Sequence, residues 1–112
     1  MNEVVVLDSF RRDAKRLQKR YQSLKTELER FIKQTEEYGA QGTSLGSGLY
    51  KARIAIKSKA KGKRGGLRII SYQEIVLAAT DSIVYLVAIY DKSETSTIQI
   101  REINKILRNF GL

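Results

Sequence analysis

The segment LYKARIAIKSKAKGKRGGLRIISY, Leu49 to Tyr72, changes character three times along its length. From Tyr50 to Ser58 the residues alternate. Lys51, Arg53, Ala55 and Lys57 point one way and Tyr50, Ala52, Ile54 and Ile56 the other, which is the period of a β-strand. Lys59 to Gly66 is a basic turn rich in glycine, and Leu67 to Gln73 resumes the alternation with Arg68, Ile70 and Tyr72 on one face. Two strands around a turn make a hairpin. If they pair antiparallel with matching faces, Arg68 joins Lys51 and Arg53 on one surface.

The same segment holds nearly all of the chain's excess charge. Residues 1–50 carry 9 basic and 7 acidic side chains, 51–68 carry 8 and 0, and 69–112 carry 4 and 5, which together give the net +9. Lys51, Arg53, Lys57, Lys59, Lys61, Lys63, Arg64 and Arg68 have no carboxylate between Glu37 and Glu74 to neutralise them. A block so one-sided attracts polyanions, and nucleic acid is the partner it suits best.

Outward from the hairpin, the remaining elements follow from periodicity. Val4 to Leu7 fits a first strand, and Asp8 or Ser9 can cap a helix starting near Phe10. Phe10, Ala14, Leu17 and Tyr21 form its apolar stripe, while Arg11, Arg12, Lys15, Arg16, Lys19 and Arg20 take its other sides. Ser23 can cap a second helix whose buried face is Leu24, Leu28, Phe31, Ile32 and Thr35, so the pair predicts an αα-hairpin. Gly39 to Gly48 is expected to be a loop. Ile83 to Tyr90 (IVYLVAIY) is apolar on both faces, as a core strand would be, and Ile100 to Asn109 has the spacing of a closing helix. The order β, α, α, three strands, α predicts one α+β domain over residues 1–112, with a mainly antiparallel sheet.

Composition narrows the chemistry. With no Cys and no His, the chain has no disulfide, thiolate nucleophile, imidazole or usual zinc ligand set. No cofactor is expected, and Asp81, Asp91 and Glu94 are too scattered in sequence to promise a magnesium site. The glycines form no phosphate loop, because Gly62-Lys63 is followed by Arg64 and not by Ser or Thr. No apolar run approaches the ~20 residues that span a bilayer, and Met1 to Arg12 has no signal-peptide core, so a cytoplasmic protein with no membrane partner is expected. RNA cleavage is open to such a chain. The 2′-hydroxyl of the substrate is itself a nucleophile, so the protein need supply only a base, an acid and cations.

The chain resembles the RelE/ParE superfamily of toxins from type II toxin–antitoxin modules, and within it the RelE/HigB-like ribosome-dependent mRNA endonucleases. FRRDAKRLQKRYQSL (Phe10 to Leu24), the Leu49 to Tyr72 segment with its GKRGGLR, YLVAIYDKSE (Tyr85 to Glu94) and EINKIL (Glu102 to Leu107) carry the resemblance. It implies a RelE-like fold and cleavage of mRNA in the ribosomal A site. A cognate antitoxin is implied too, often with a helix-turn-helix domain, that covers the basic face and represses its own operator DNA together with the toxin.

The resemblance also distributes roles. Arg68 stands where the family's middle strand carries its arginine, as the cation for the transition-state phosphorane. Lys51 and Arg53 resemble the basic pair on the preceding strand, candidates to orient substrate and to assist proton transfer. Tyr90, Lys92 and Glu94 fall where the superfamily places catalytic groups after its last core strand, with Glu94 a candidate base and Lys92 or Tyr90 a candidate acid. Relatives with His at this place have an obvious acid–base group, which this chain lacks. Lys57, Lys59, Lys61, Lys63 and Arg64 are expected to contact ribosomal phosphates, and Tyr72 either to stack on a base or to pack. A ParE-like gyrase toxin, or a nonenzymatic RNA- or ribosome-binding domain, fits the same pattern.

Overall fold

The computed structural model describes residues 2–57, 66–77, 81–95 and 97–112, and the side chains of 76 and 77 are outside that description. The elements are β1 (Asn2–Val6), α1 (Asp8–Arg20), α2 (Leu24–Tyr38), β2 (Thr43–Gly46), β3 (Leu49–Ile54), β4 (Leu67–Leu77), β5 (Asp81–Asp91) and α3 (Ile100–Asn109). They form an α+β fold with one five-stranded sheet in the order β1-β5-β4-β3-β2. Only β1 runs parallel to its neighbour β5, and the other pairs are antiparallel.

The sheet separates two apolar layers. Phe10, Ala14, Leu17, Leu24, Leu28 and Phe31 of α1 and α2 pack on Ala52, Ile54, Leu67, Ile69, Val84, Leu86 and Ile89. On the other face Ile103 and Leu107 of α3 pack with Leu49, Ile70, Val87, Ala88 and Tyr90. Both faces of β5 are therefore covered, which is why IVYLVAIY has no polar alternation.

Gly39 to Gly48 is not only a loop. Thr43 to Gly46 pairs with β3 as an edge strand, and Ser47 (φ 53) and Gly48 (φ 83) make the two-residue hairpin turn between them. Two successive positive φ values match the twist of the flanking strands, and glycine adopts them freely. Among the described residues four strands, not three, thus follow the helical hairpin.

The expected caps also differ. Asp8 is the first residue of α1 and pairs with Arg11 at 3.2 Å, where its charge favours the positive end of the helix. Ser9 is buried and its hydroxyl donates to the Val87 carbonyl at 2.7 Å, tying α1 to β5. Ser23 makes no side-chain cap; it donates to Glu27 Oε1 at 2.9 Å. Glu27 Oε2 in turn accepts from the Lys57 backbone N–H at 2.8 Å, so α2 holds the end of the β3 segment.

Candidate catalytic row and nucleic-acid interface

Register decides which cations meet. Arg53 pairs with Arg68 across β3 and β4, and Arg68 pairs with Tyr90 across β4 and β5. Directly opposed residues have Cβ atoms about 5 Å apart, so the three side chains form one row on the α3 side of the sheet. Lys51 lies one row further along the same face, opposite Ile70 and Ala88. The surface shared by Lys51, Arg53 and Arg68 is present as the alternation required.

What alternation could not show is depth. Arg68 is only 2% exposed, and its Nη1 lies 3.4 Å from the carbonyl oxygens of Gly66 and Leu67. A guanidinium that remains charged when removed from water must be matched by oriented oxygens. Gly66 permits this: a Cβ there would stand 2.0 Å from the Ile54 carbonyl oxygen, so only glycine lets the start of β4 lie against the end of β3.

Tyr90 is 7% exposed, and its hydroxyl is buried without a hydrogen bond among the described residues. A tyrosine ending an apolar strand commonly buries its ring and exposes its hydroxyl; here both are inside. A buried polar atom without a partner is uncommon enough to need a reason, and a ligand group is one.

The remaining candidates are more dispersed. Arg53 is exposed, whereas Lys51 is half-buried and donates from Nζ to Thr97 Oγ1 at 3.3 Å. Lys57 and Lys92 are exposed. Glu94 does not join the row: its carboxylate pairs with Arg20 at 3.1 Å and Arg16 at 3.6 Å, both on α1 in the opposite layer. Tyr72 stacks on Tyr85 with ring centroids 6.1 Å apart, so its ring already has a partner. Burial, and then the charges of Glu74 and Glu3, push the Tyr85 hydroxyl pKa up. Lys59, Lys61, Lys63 and Arg64 lie outside the described residues.

Two features escaped the sequence reading. Asp91 is buried and accepts from Tyr21 Oη at 2.5 Å and from the Ser93 N–H and hydroxyl, which fixes the turn into Lys92 and Glu94. Its position at the end of an apolar strand, two residues before Ser93, was the available signal. The second feature is a groove of about 700 Å³ between α2 and the outer edge of β3, bordered by Glu27, Arg30, Phe31, Lys51 and Arg53. Among the described residues no group of three or more acidic side chains is placed to hold a metal, and no helix is long and apolar enough to cross a membrane.

A helical hairpin on one face of a mixed sheet, a helix on the other and cations along the β3–β4 end define a small basic α+β domain. A family model described as the RelE toxin of the RelE/RelB toxin–antitoxin system matches residues 9–110, and the chain belongs to that family. Comparison with curated proteins and with solved structures finds no match.

Proposed function

We propose that this toxin is a metal-independent endoribonuclease that cleaves mRNA in the ribosomal A site by attack of the 2′-hydroxyl on the adjacent phosphate. The observation that carries this reading is the row Arg53, Arg68, Tyr90, in which a buried arginine is paired in register with a tyrosine whose buried hydroxyl has no partner among the described residues. Fixed donors in a site with little water stabilise charge developing on a phosphate far better than mobile surface lysines do. Family membership supports the same class of target.

In this reading the 2′-oxygen bonds to phosphorus as the 5′-oxygen leaves, giving a 2′,3′-cyclic phosphate and a 5′-hydroxyl. Arg68 stabilises the phosphorane, and Arg53 and Lys51 orient the strand through its phosphates. Tyr90 or Lys92 protonates the leaving oxygen. Glu94 takes the 2′ proton once its pairs with Arg16 and Arg20 open; exposed pairs of this kind are worth only about 0–1 kcal/mol each. Lys57, with Lys59, Lys61, Lys63 and Arg64, supplies ribosome-facing charge.

A RelE-family toxin has a cognate antitoxin. Here that partner is proposed to cover the basic face, to carry a helix-turn-helix domain, and to bring the pair to operator DNA. The site of action is the cytoplasm, where mRNA is translated. Induction in bacterial cells followed by primer extension, beside Arg68→Ala and with translation blocked in a parallel culture, tests the proposal. New 5′ ends that vanish in the variant and without translation are expected. Growth arrest with intact mRNA would overturn it in favour of a gyrase toxin or a nonenzymatic ribosome binder.

A further inference from the structure

The sheet row leaves the most basic helix of the molecule without a task. All six cations of α1 (Arg11, Arg12, Lys15, Arg16, Lys19 and Arg20) are exposed, while Ser9, Phe10, Ala14 and Leu17 are buried under them. Their anionic partners are few. Asp8 pairs with Arg11, and Glu94 reaches across from the β5 exit to Arg16 and Arg20. Asp13 is half-buried between the charges of Arg12 and Arg16. Arg12, Lys15 and Lys19 make no salt bridge within 4.0 Å among the described residues, Arg12 sharing only the field of the adjacent Asp13. Spaced at i, i+3 and i+7, they form one stripe about 10 Å long on a single face of the helix.

We propose that this stripe is a second RNA-binding surface, which grips the phosphate backbone of duplex RNA while the row on the opposite face of the sheet holds the single strand. The choice of RNA as the polyanion rests on the function proposed above; the existence of the surface does not. Its residues are those of a phosphate contact. The exposed face has charges but no aromatic or aliphatic anchor of the kind a protein interface needs at its centre. Nor does it suit a membrane, because the apolar stripe an interfacial helix would insert is already buried in this protein's own core. Duplex RNA recognised through its backbone requires neither.

Glu94 makes the surface more than a patch. Its carboxylate is a phosphate mimic seated between Arg16 and Arg20, at the end of the stripe and next to the β5 exit. RNA phosphates arriving on α1 compete for those arginines and release Glu94 toward the substrate side, so docking and the proposed base are coupled.

The test is binding, with no cleavage involved. Fluorescence anisotropy of a duplex of about 20 base pairs, titrated with the full chain across a range of salt, suffices. The triple variant Arg12→Gln, Lys15→Gln, Lys19→Gln should bind roughly tenfold or more weaker at moderate salt, with a log–log salt slope shallower by about 2 to 3. Glu94→Gln should bind tighter than wild type, and more so than Glu102→Gln on the exposed face of α3. An unchanged slope in the triple variant would overturn the surface. Equal behaviour of the two Glu→Gln variants would overturn the coupling, and tighter binding to DNA of the same sequence would overturn RNA as the occupant. Loss of cleavage in Arg68→Ala together with normal duplex binding would separate this surface from the catalytic row.

Discussion

Arg68 and Tyr90 face each other in register across β4 and β5, the first a guanidinium 2% exposed, the second a buried hydroxyl with no hydrogen bond among the described residues. The guanidinium has the Gly66 and Leu67 carbonyls as partners, whereas a buried hydroxyl without one is destabilising where it stands.

Tyr90→Phe therefore separates stability from activity. An unsatisfied buried hydroxyl costs about 1–3 kcal/mol, so its removal should raise Tm by roughly 10 °C. If Tyr90 supplies the proton to the leaving oxygen, cleavage by the same variant falls by roughly 10² or more. Thermal melts and single-turnover cleavage on programmed ribosomes check both. A variant that is less stable and fully active would mean that the hydroxyl has a structural partner and no chemical task.

Arg68→Lys should fail nearly as completely as Arg68→Ala. The planar fork of arginine reaches two oxygens at once and keeps its charge when buried, whereas a lysine ammonium is a strongly hydrated point charge. Loss of one preorganised donor at a phosphorane is expected to lower the cleavage rate by roughly 10² to 10³. Circular dichroism melts of both variants distinguish lost chemistry from a lost fold. Rescue by lysine to within a few-fold would reduce Arg68 to general positive charge.

How much of this was legible in the sequence depends on the kind of interaction. Alternation from Tyr50 to Ser58 and from Leu67 to Gln73 placed Lys51, Arg53 and Arg68 on one face, because side-chain direction in a strand is set by the backbone alone, although β3 itself stops at Ile54. The helical hairpin and α3 were readable from apolar spacing for the same reason. β2 was not. Thr43 to Gly46 is mostly exposed, so burial imposes no alternation on it, and its signal was the Ser47-Gly48 turn. Depth was hidden as well: the burial of Arg68 depends on the close approach of Gly66 to Ile54, a contact between segments. Glu94 was assigned from its position after β5, but its ion pairs come from α1, more than seventy residues earlier in the chain.

Gly66→Ala tests that approach. Its Cβ would overlap the Ile54 carbonyl, which is backbone and cannot swing aside, so the strands must part. Overpacking of this order costs about 1–3 kcal/mol, a fall in Tm of roughly 10 °C. Because the Gly66 carbonyl also accepts from Arg68, cleavage should drop further than the loss of folded protein explains. An unchanged Tm would show that β3 and β4 can separate at this end without penalty.

Asp13 gives a pH dependence with a definite sign. Burial raises its pKa above the ordinary 3.8, against the opposing pull of Arg16 and Arg12. A raised value in the folded state means that folding favours the neutral carboxyl. Its favourable contribution is fully present below 3.8 and is lost as the pH rises through the folded-state pKa. Asp13→Asn, which is neutral at every pH, should therefore melt higher than wild type at about pH 7, and the gap should close as the pH falls toward about 4. Paired melts across that range measure it. A gap that widens on acidification would mean that the arginines, and not burial, dominate the environment of Asp13.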